Sequence, residues 1–509
     1  MSKHCGGVVA LLFLIKLCYN ECCPELCQCF SAATVICSDD RMKVLPVNIS
    51  TQVKELIVVA SGVTHVNGSS FRENLKLNKL VILNCLLKVV SSNAFDQLTE
   101  LRELEISGNS HLFTFEMETF NKLAHLTRLL LNNNMISVLY NGIFDCLQRL
   151  ETLKLRGNGL SYLPSLLFQN LYQLQELDLS FNHIGSLSAD IFHNNSVLRV
   201  FTMQGNMISY LPVAIFAHLN NLEELNFQSN HIMILNPEAF PPSLRKLVLK
   251  KNRLVQLSPV GSQKLQHLLY LDLSQNSLSE LPTDFFQNLI SLKNLDLSEN
   301  QIVLLHSTVF KGLFNLKTIN LQRNNLSLLE GNLFKDQQVM EKLYLSMNNL
   351  RSLPFGFFDY LDFQCIVQLH GNPWHCDCDI QYFLDWLRYN HRNVDDFSKV
   401  YCNEPEFIKG HSLVSLDKEM LVCSKNSSSE LEGSAADIAQ SVTKIPSNDY
   451  STIQCSFQEF NDATSIRCKV TKCTSLKFQA VFENADGNKS ECVVSNEWPA
   501  PTGCLNGTL

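Results

Sequence analysis

The chain has 509 residues, 45% hydrophobic and 18% charged, which supplies ample material for a core and lies outside the composition of disordered proteins. That length exceeds the roughly 100–200 residues of one globular domain, so internal repetition is the first pattern to test. A net charge of −8, from 41 Lys+Arg against 49 Asp+Glu, leaves no polycationic surface for phosphate neutralisation and argues against nucleic acid as a partner.

At the N-terminus, Met1-Ser-Lys-His precedes an apolar run from Val8 to Leu17 broken only by Lys16. A charged start followed by a short apolar stretch matches a secretory signal, and residues 1–21 are read as one, with cleavage near Asn20 to Cys22. The run is too short to span a bilayer, and no later segment offers about 18 consecutive apolar residues. The expected product is a secreted, extracellular chain without a membrane anchor. Nineteen cysteines fit an oxidising compartment. Seven Asn-x-Ser/Thr sites, at Asn48, Asn67, Asn194, Asn325, Asn426, Asn488 and Asn506, are the expected glycosylation positions.

Residues 22–50 form a cysteine-rich segment in which Cys23, Cys27, Cys29 and Cys37 are spaced C-x3-C-x-C-x7-C. Residues 51–362 then repeat the pattern L-x-x-L-x-L-x-x-N-x-L about thirteen times. Its asparagines are Asn109, Asn134, Asn158, Asn182, Asn206, Asn230, Asn252, Asn276, Asn300, Asn324 and Asn348, almost always 24 residues apart. Two earlier units keep the frame with Ser61 and Cys85 at that position. A phenylalanine follows ten or eleven residues later in each unit except the one after Asn252, which has Ser262.

This spacing predicts a solenoid. Leucines two apart, such as Leu177 and Leu179, point to one side of a short strand that cannot bury them alone. Stacking units at about 4.8 Å per strand makes a parallel sheet with a continuous leucine core, and the phenylalanines form a second column under the outer arc. The bulkier phenylalanine side should curve the stack into a horseshoe. The asparagine amide belongs at the turn ending each strand, where an unpaired polar group would cost about 1–3 kcal/mol. The recurrent Leu-Asp-Leu-Ser at 177–180, 271–274 and 295–298 is read the same way, as strand residues and not catalytic groups. Between Asn230 and Asn252 the interval falls to 22 around Pro241-Pro242, which predicts a tightened outer loop.

Residues 363–423 carry Asn372-Pro-Trp-His-Cys376-Asp-Cys378, then Phe383-Leu-Asp-Trp386-Leu, Cys402 and Cys423. A metal site at His375, Cys376, Asp377, Cys378 and Cys402 is disfavoured, because zinc sites space their first cysteines by two to four residues and suit reducing compartments. Trp386 is expected on a short helix over the last coil. Residues 424–451 read as a Ser/Asn/Glu-rich linker, and residues 452–509, with five cysteines among alternating segments, as a disulfide-containing β module.

No H-E-x-x-H, G-x-S-x-G or phosphate-loop signature is present, so neither catalysis nor a cofactor is expected. The repeat frame instead names the side chains on the open face of the sheet, two, four and six positions before each asparagine. They run in bands: Glu103 and Glu105; Lys154 and Arg156; Glu176, Asp178 and Glu224; Lys246 and Lys250; then Tyr270, Asp272, Asp296, Lys342 and Tyr344. Alternating sign gives a protein partner a register and steers encounter.

The two cysteine-rich segments resemble the caps of extracellular leucine-rich-repeat proteins. That resemblance implies an α/β solenoid with a parallel sheet on its concave face, and the pairs Cys23–Cys29, Cys27–Cys37, Cys376–Cys402 and Cys378–Cys423. Cys37-Ser-Asp-Asp, the two degenerate opening units, the phrase Leu369-His-Gly-Asn-Pro-Trp-His-Cys-Asp-Cys378 and the cysteine-containing tail together look like the regulatory-subunit family of plasma carboxypeptidase N. Membership would imply a glycosylated, inactive chain that binds a small zinc carboxypeptidase subunit in a heterotetramer and keeps it in circulation, with the zinc in the partner. The same fold would also serve a soluble pattern-recognition or decoy receptor, or a matrix-binding protein.

Overall fold

The computed structural model describes residues 23–421 apart from 74, 259–261 and 418–419, together with the backbone of four strands between 453 and 495. It divides into two compact units, Met1–Val422 and Cys423–Leu509.

In the first unit each coil contributes one short strand to a 17-stranded sheet. Alternation sets the sides: in Glu176–Asp178 only the middle residue is buried, because successive side chains of a strand point oppositely. The register is uniform. Leu153, Leu177, Phe201, Leu225, Leu247, Leu271 and Leu295 lie opposite one another in turn, so the inward side is an unbroken apolar column. The first strand, Cys27–Cys29, pairs antiparallel with Thr34–Cys37. Every later neighbour is parallel, ending with Val394–Asp395 beside Ile366–Gln368.

The asparagine ladder supplies the polar half of this packing. The Asn182 amide donates to the Leu155 and Leu179 carbonyls at 3.0 Å and accepts from the Leu160 N–H at 3.1 Å. The same bonds recur one coil on at Asn206, and each satisfies backbone groups where burial without a partner would be costly. Where the ladder residue is Cys85, its Sγ lies 3.4 Å from the Leu83 carbonyl and 3.1 Å from the Ser61 hydroxyl. Its own N–H is taken by Asn109 Oδ1 at 3.1 Å.

The phenylalanines stack under the outer arc, with ring centroids 6.1 Å apart for Phe168 and Phe192 and 5.9 Å for Phe310 and Phe334. At the gap in this column Ser262 is buried and accepts from Asn288 Nδ2 at 3.1 Å, so a hydrogen bond replaces ring contact. The short coil turns through a 3-10 segment, Pro237–Ala239, capped by Asn236, and Phe240 keeps its place at 6.3 Å from Phe216. Elsewhere the outer arc is mostly turns. Among the described residues α-helix is confined to the single turn Thr283–Phe286 and to Gln381–Tyr389. The latter closes the core: Phe383, Leu384 and Leu387 are buried, and Trp386 stacks on Phe358 at 3.7 Å.

In the second unit, Ile453–Phe460 pairs antiparallel with Ala463–Val470, and Lys477–Glu483 with Lys489–Ser495. The first register sets Cys455 opposite Cys468.

Candidate functional site

The open side of the sheet is built by the residues that alternate with the buried leucines. Because equivalent positions stack coil on coil, opposite charges on successive strands meet. Lys79 lies 2.8 Å from Glu103, Lys154 2.7 Å from Glu176, and Lys246 3.1 Å from Glu224. Such partly exposed pairs contribute about 0–1 kcal/mol each, so they orient charged heads more than they hold the fold. Arg156 lies over the Phe181 ring at 4.2 Å, a cation–π placement. Glu105, Lys342 and Tyr344 have no side-chain hydrogen bond or ion pair among the described residues.

The aspartates behave differently from the glutamates. Asp178, Asp272 and Asp296 each accept the N–H of the serine two residues on, at 2.8, 3.0 and 2.9 Å. Their carboxylates thereby fix the bend that ends the strand. Asp272 is 6% exposed, and burial raises its pKa although the two bonds from Ser274 oppose that. Beside it Tyr270 is pushed up to about 12, by burial first and then by Asp272 and Asp296, so it remains a neutral phenol. Asp272 is therefore largely covered, and Tyr270, Asp296 and Lys250 present this part of the face.

An apolar group lies at the start of the sheet, where no charged position marks it. Ile57 and Val59, and Val81 and Leu83, occupy the outward positions four and two before Ser61 and Cys85. The strands Glu55–Val59 and Lys79–Leu83 are direct neighbours, and Ile36 flanks them. The signal was in the repeat frame: only these coils carry aliphatic residues at both positions.

The structure pairs Cys23 with Cys29, Cys27 with Cys37 and Cys376 with Cys402. Cys378 is also disulfide-bonded, and Cys423 lies outside the described residues. Across the last of these loops, His375 meets Glu404 at 2.9 Å and Asp377 at 3.3 Å. Cys85, Cys146 and Cys365 carry free thiols, and burial pushes that of Cys365 up to about 12. Asn48, Asn67, Asn194 and Asn325 are exposed, and none lies on a sheet strand. Asn426, Asn488 and Asn506 fall outside the described residues. Among the described residues no helix is long and apolar enough to cross a membrane.

A leucine rich repeat family model matches residues 51–112, 109–160, 148–208, 242–302 and 290–350, together more than half of the chain. Carboxypeptidase N subunit 2 of Mus musculus is 30% identical over 158 residues, 30% of this chain and 28% of that protein. The Homo sapiens protein of the same name is 40% identical over 58 residues, 11% of this chain and 10% of that one. The match thus spans under a third of either relative's length. Among solved structures, a Drosophila Toll–Spatzle complex superposes with a TM-score of 0.56 at 21% identity, covering 77% of this chain and 64% of that one. A Leptospira interrogans leucine-rich-repeat protein gives 0.54 at 24% identity, covering 70% and 94%. At these identities the structural likeness shows the fold alone.

Proposed function

The chain belongs to the leucine-rich repeat family, and from that premise we propose that it is a secreted, non-catalytic binding subunit whose open sheet face holds a zinc carboxypeptidase of the carboxypeptidase N type. The observation that carries this reading is the contrast between the two sides of each strand. One side is a repeated core, and the other is a long rigid surface whose charged heads are already oriented by Lys154–Glu176 and Glu224–Lys246 pairing. A preformed surface loses little conformational entropy on association, and bands of opposite sign favour one register of the partner over others. Likeness to carboxypeptidase N subunit 2 selects the partner class. The role is to bind the enzyme, stabilise it by mass action and retain it in circulation.

Gel filtration of the glycosylated chain mixed with the catalytic subunit of carboxypeptidase N tests this. The expected result is co-elution of peptidase activity with the chain and slower thermal inactivation of the enzyme. Separate elution would overturn the reading.

A further inference from the structure

Where the strands of the open face end, one residue ill suits its backbone. Along the stack, the residue just before each ladder position takes a left-handed conformation, with φ from 51° at Ala60 to 72° at Gly108. Glycine and asparagine accept that conformation readily, and they stand there at Asn84, Gly108, Asn133, Gly157, Gly205 and Gly371. Phe181, at φ 57°, is the only aromatic of this column among the described residues. Bulky side chains seldom adopt it, and such strain gathers at functional positions. The Phe181 ring is 41% exposed. The following coil makes room for it with Gly205, where a Cβ would lie 2.8 Å from the ring. Asn84 lies against Gly108, and Asn133 against Gly157, in the same way.

The preceding coil supplies the cation that this ring holds. The backbone of Arg156 is fixed, its N–H donating to Asn132 Oδ1 at 3.1 Å and its carbonyl accepting from the Asn133 N–H at 2.7 Å. The guanidinium lies 4.2 Å from the Phe181 ring centroid, and among the described residues it has no ion pair or side-chain hydrogen bond. Its neighbours are engaged. Lys154 meets Glu176 at 2.7 Å, and Asp178 accepts the Ser180 N–H at 2.8 Å. Arg156 is thus an exposed cation held in place by a ring, with its donors free.

We infer that Arg156, positioned by Phe181, anchors a carboxylate of the docked protein, either an Asp or Glu side chain or a C-terminal carboxyl. The inference rests on the reading of the open face as the surface that holds the carboxypeptidase subunit. A guanidinium stacked on an aromatic face keeps its N–H donors in its own plane, directed away from the ring. A carboxylate matches two of those donors at once. Asp178 on the adjoining strand selects this ligand over a phosphate dianion, which it would repel about twice as strongly. The ring also removes part of the rotamer freedom that an exposed arginine would otherwise lose on binding. Arginine beside an aromatic is the composition of residues that dominate binding energy at interfaces. Phe181 is a positioning residue, and its left-handed backbone is what sets the ring beneath the guanidinium.

The test is titration calorimetry of the full glycosylated chain with the catalytic subunit of carboxypeptidase N. Arg156→Lys keeps the charge and removes the planar fork, and the dissociation constant should rise about 10-fold or more, as for the loss of a charge-assisted hydrogen bond. Phe181→Asn should weaken binding about 5-fold with melting unchanged, because Asn84 and Asn133 already occupy that column. A purely structural Phe181 would instead lower melting and leave affinity alone. At saturating concentration, a carbodiimide should join the amine introduced by Arg156→Lys to a carboxyl of the bound subunit, read by peptide mapping. Natural affinity in Arg156→Lys overturns the inference, and so does a saturated complex without a cross-link at position 156. Either result leaves the carboxypeptidase reading standing if the natural chain binds. A natural chain that binds no subunit overturns that reading, and the anchor falls with it.

Discussion

Leu177 and Asp178 are adjacent in one strand and obey different constraints. Leu177 is fully buried opposite Leu153 and Phe201, and its counterparts in other coils are leucine with few exceptions. Asp178 faces the open side, and the residues beside it are Lys154 and Thr202. The inward column repeats because each coil solves the same packing problem, whereas the outward column is free to differ and so can carry recognition. Repetition at 24 residues therefore reports the fold, and departures from it report where function can lie.

The largest effect should come from breaking the repeated half. Asn182→Ala leaves the Leu160 N–H unpaired in a buried turn and removes one of the two amide donors of the Leu155 and Leu179 carbonyls, which keep Asn158 and Asn206. At about 1–3 kcal/mol for the orphaned N–H, with a smaller loss for the two weakened carbonyls, equilibrium denaturation should register a loss of about 2 kcal/mol or more. A loss under about 1 kcal/mol would mean that the ladder is dispensable. Cys85→Asn sharpens the comparison in the opposite direction. It installs the regular ladder residue in a degenerate coil, and because Asn109 already serves the N–H of residue 85, the change should alter stability by no more than about 1 kcal/mol. A severe loss would show that the first coils are shaped around the thiol.

The smallest effect lies at the exposed edge of the C-terminal cap. Hydrogen bonding from His375 first, and then the charge of Arg351, hold the Glu404 carboxyl below its ordinary value of 4.5. A depressed folded pKa contributes stability above the unfolded value and loses it as pH falls through the folded value. Glu404→Gln should therefore lower the melting temperature slightly at neutral pH, and the two curves should converge as the solution is acidified below 4.5. A difference that grows on acidification would contradict the assignment.

The fold was legible because its signals are periodic. The leucine columns, the asparagine ladder and the phenylalanine stack each follow from one repeat, and even the Ser262 gap and the shortened coil at Pro241-Pro242 stood out as breaks in it. The helix content was less legible, since the outer arc is too short in most coils for more than a turn. At the open face, the frame named the outward residues, but which of them remain available depends on neighbours. Lys154 and Glu176 meet only when coils stack, and Asp272 is covered by its surroundings while its bond to Ser274 bends the chain. The group of Ile57, Val59, Val81 and Leu83 did not stand out among the charged positions, because its character is the lack of charge.

The central claim is that the outward side of the sheet binds and the inward side folds. Its most direct test is the affinity of the glycosylated chain for the catalytic carboxypeptidase N subunit when Lys154, Arg156, Lys246 and Lys250 are all changed to Glu. The account predicts that secretion and melting are retained, because exposed ion pairs contribute little to stability. It also predicts an affinity lower by about 100-fold or more, as reversed charges face a complementary partner. Unchanged affinity in a folded variant would contradict it.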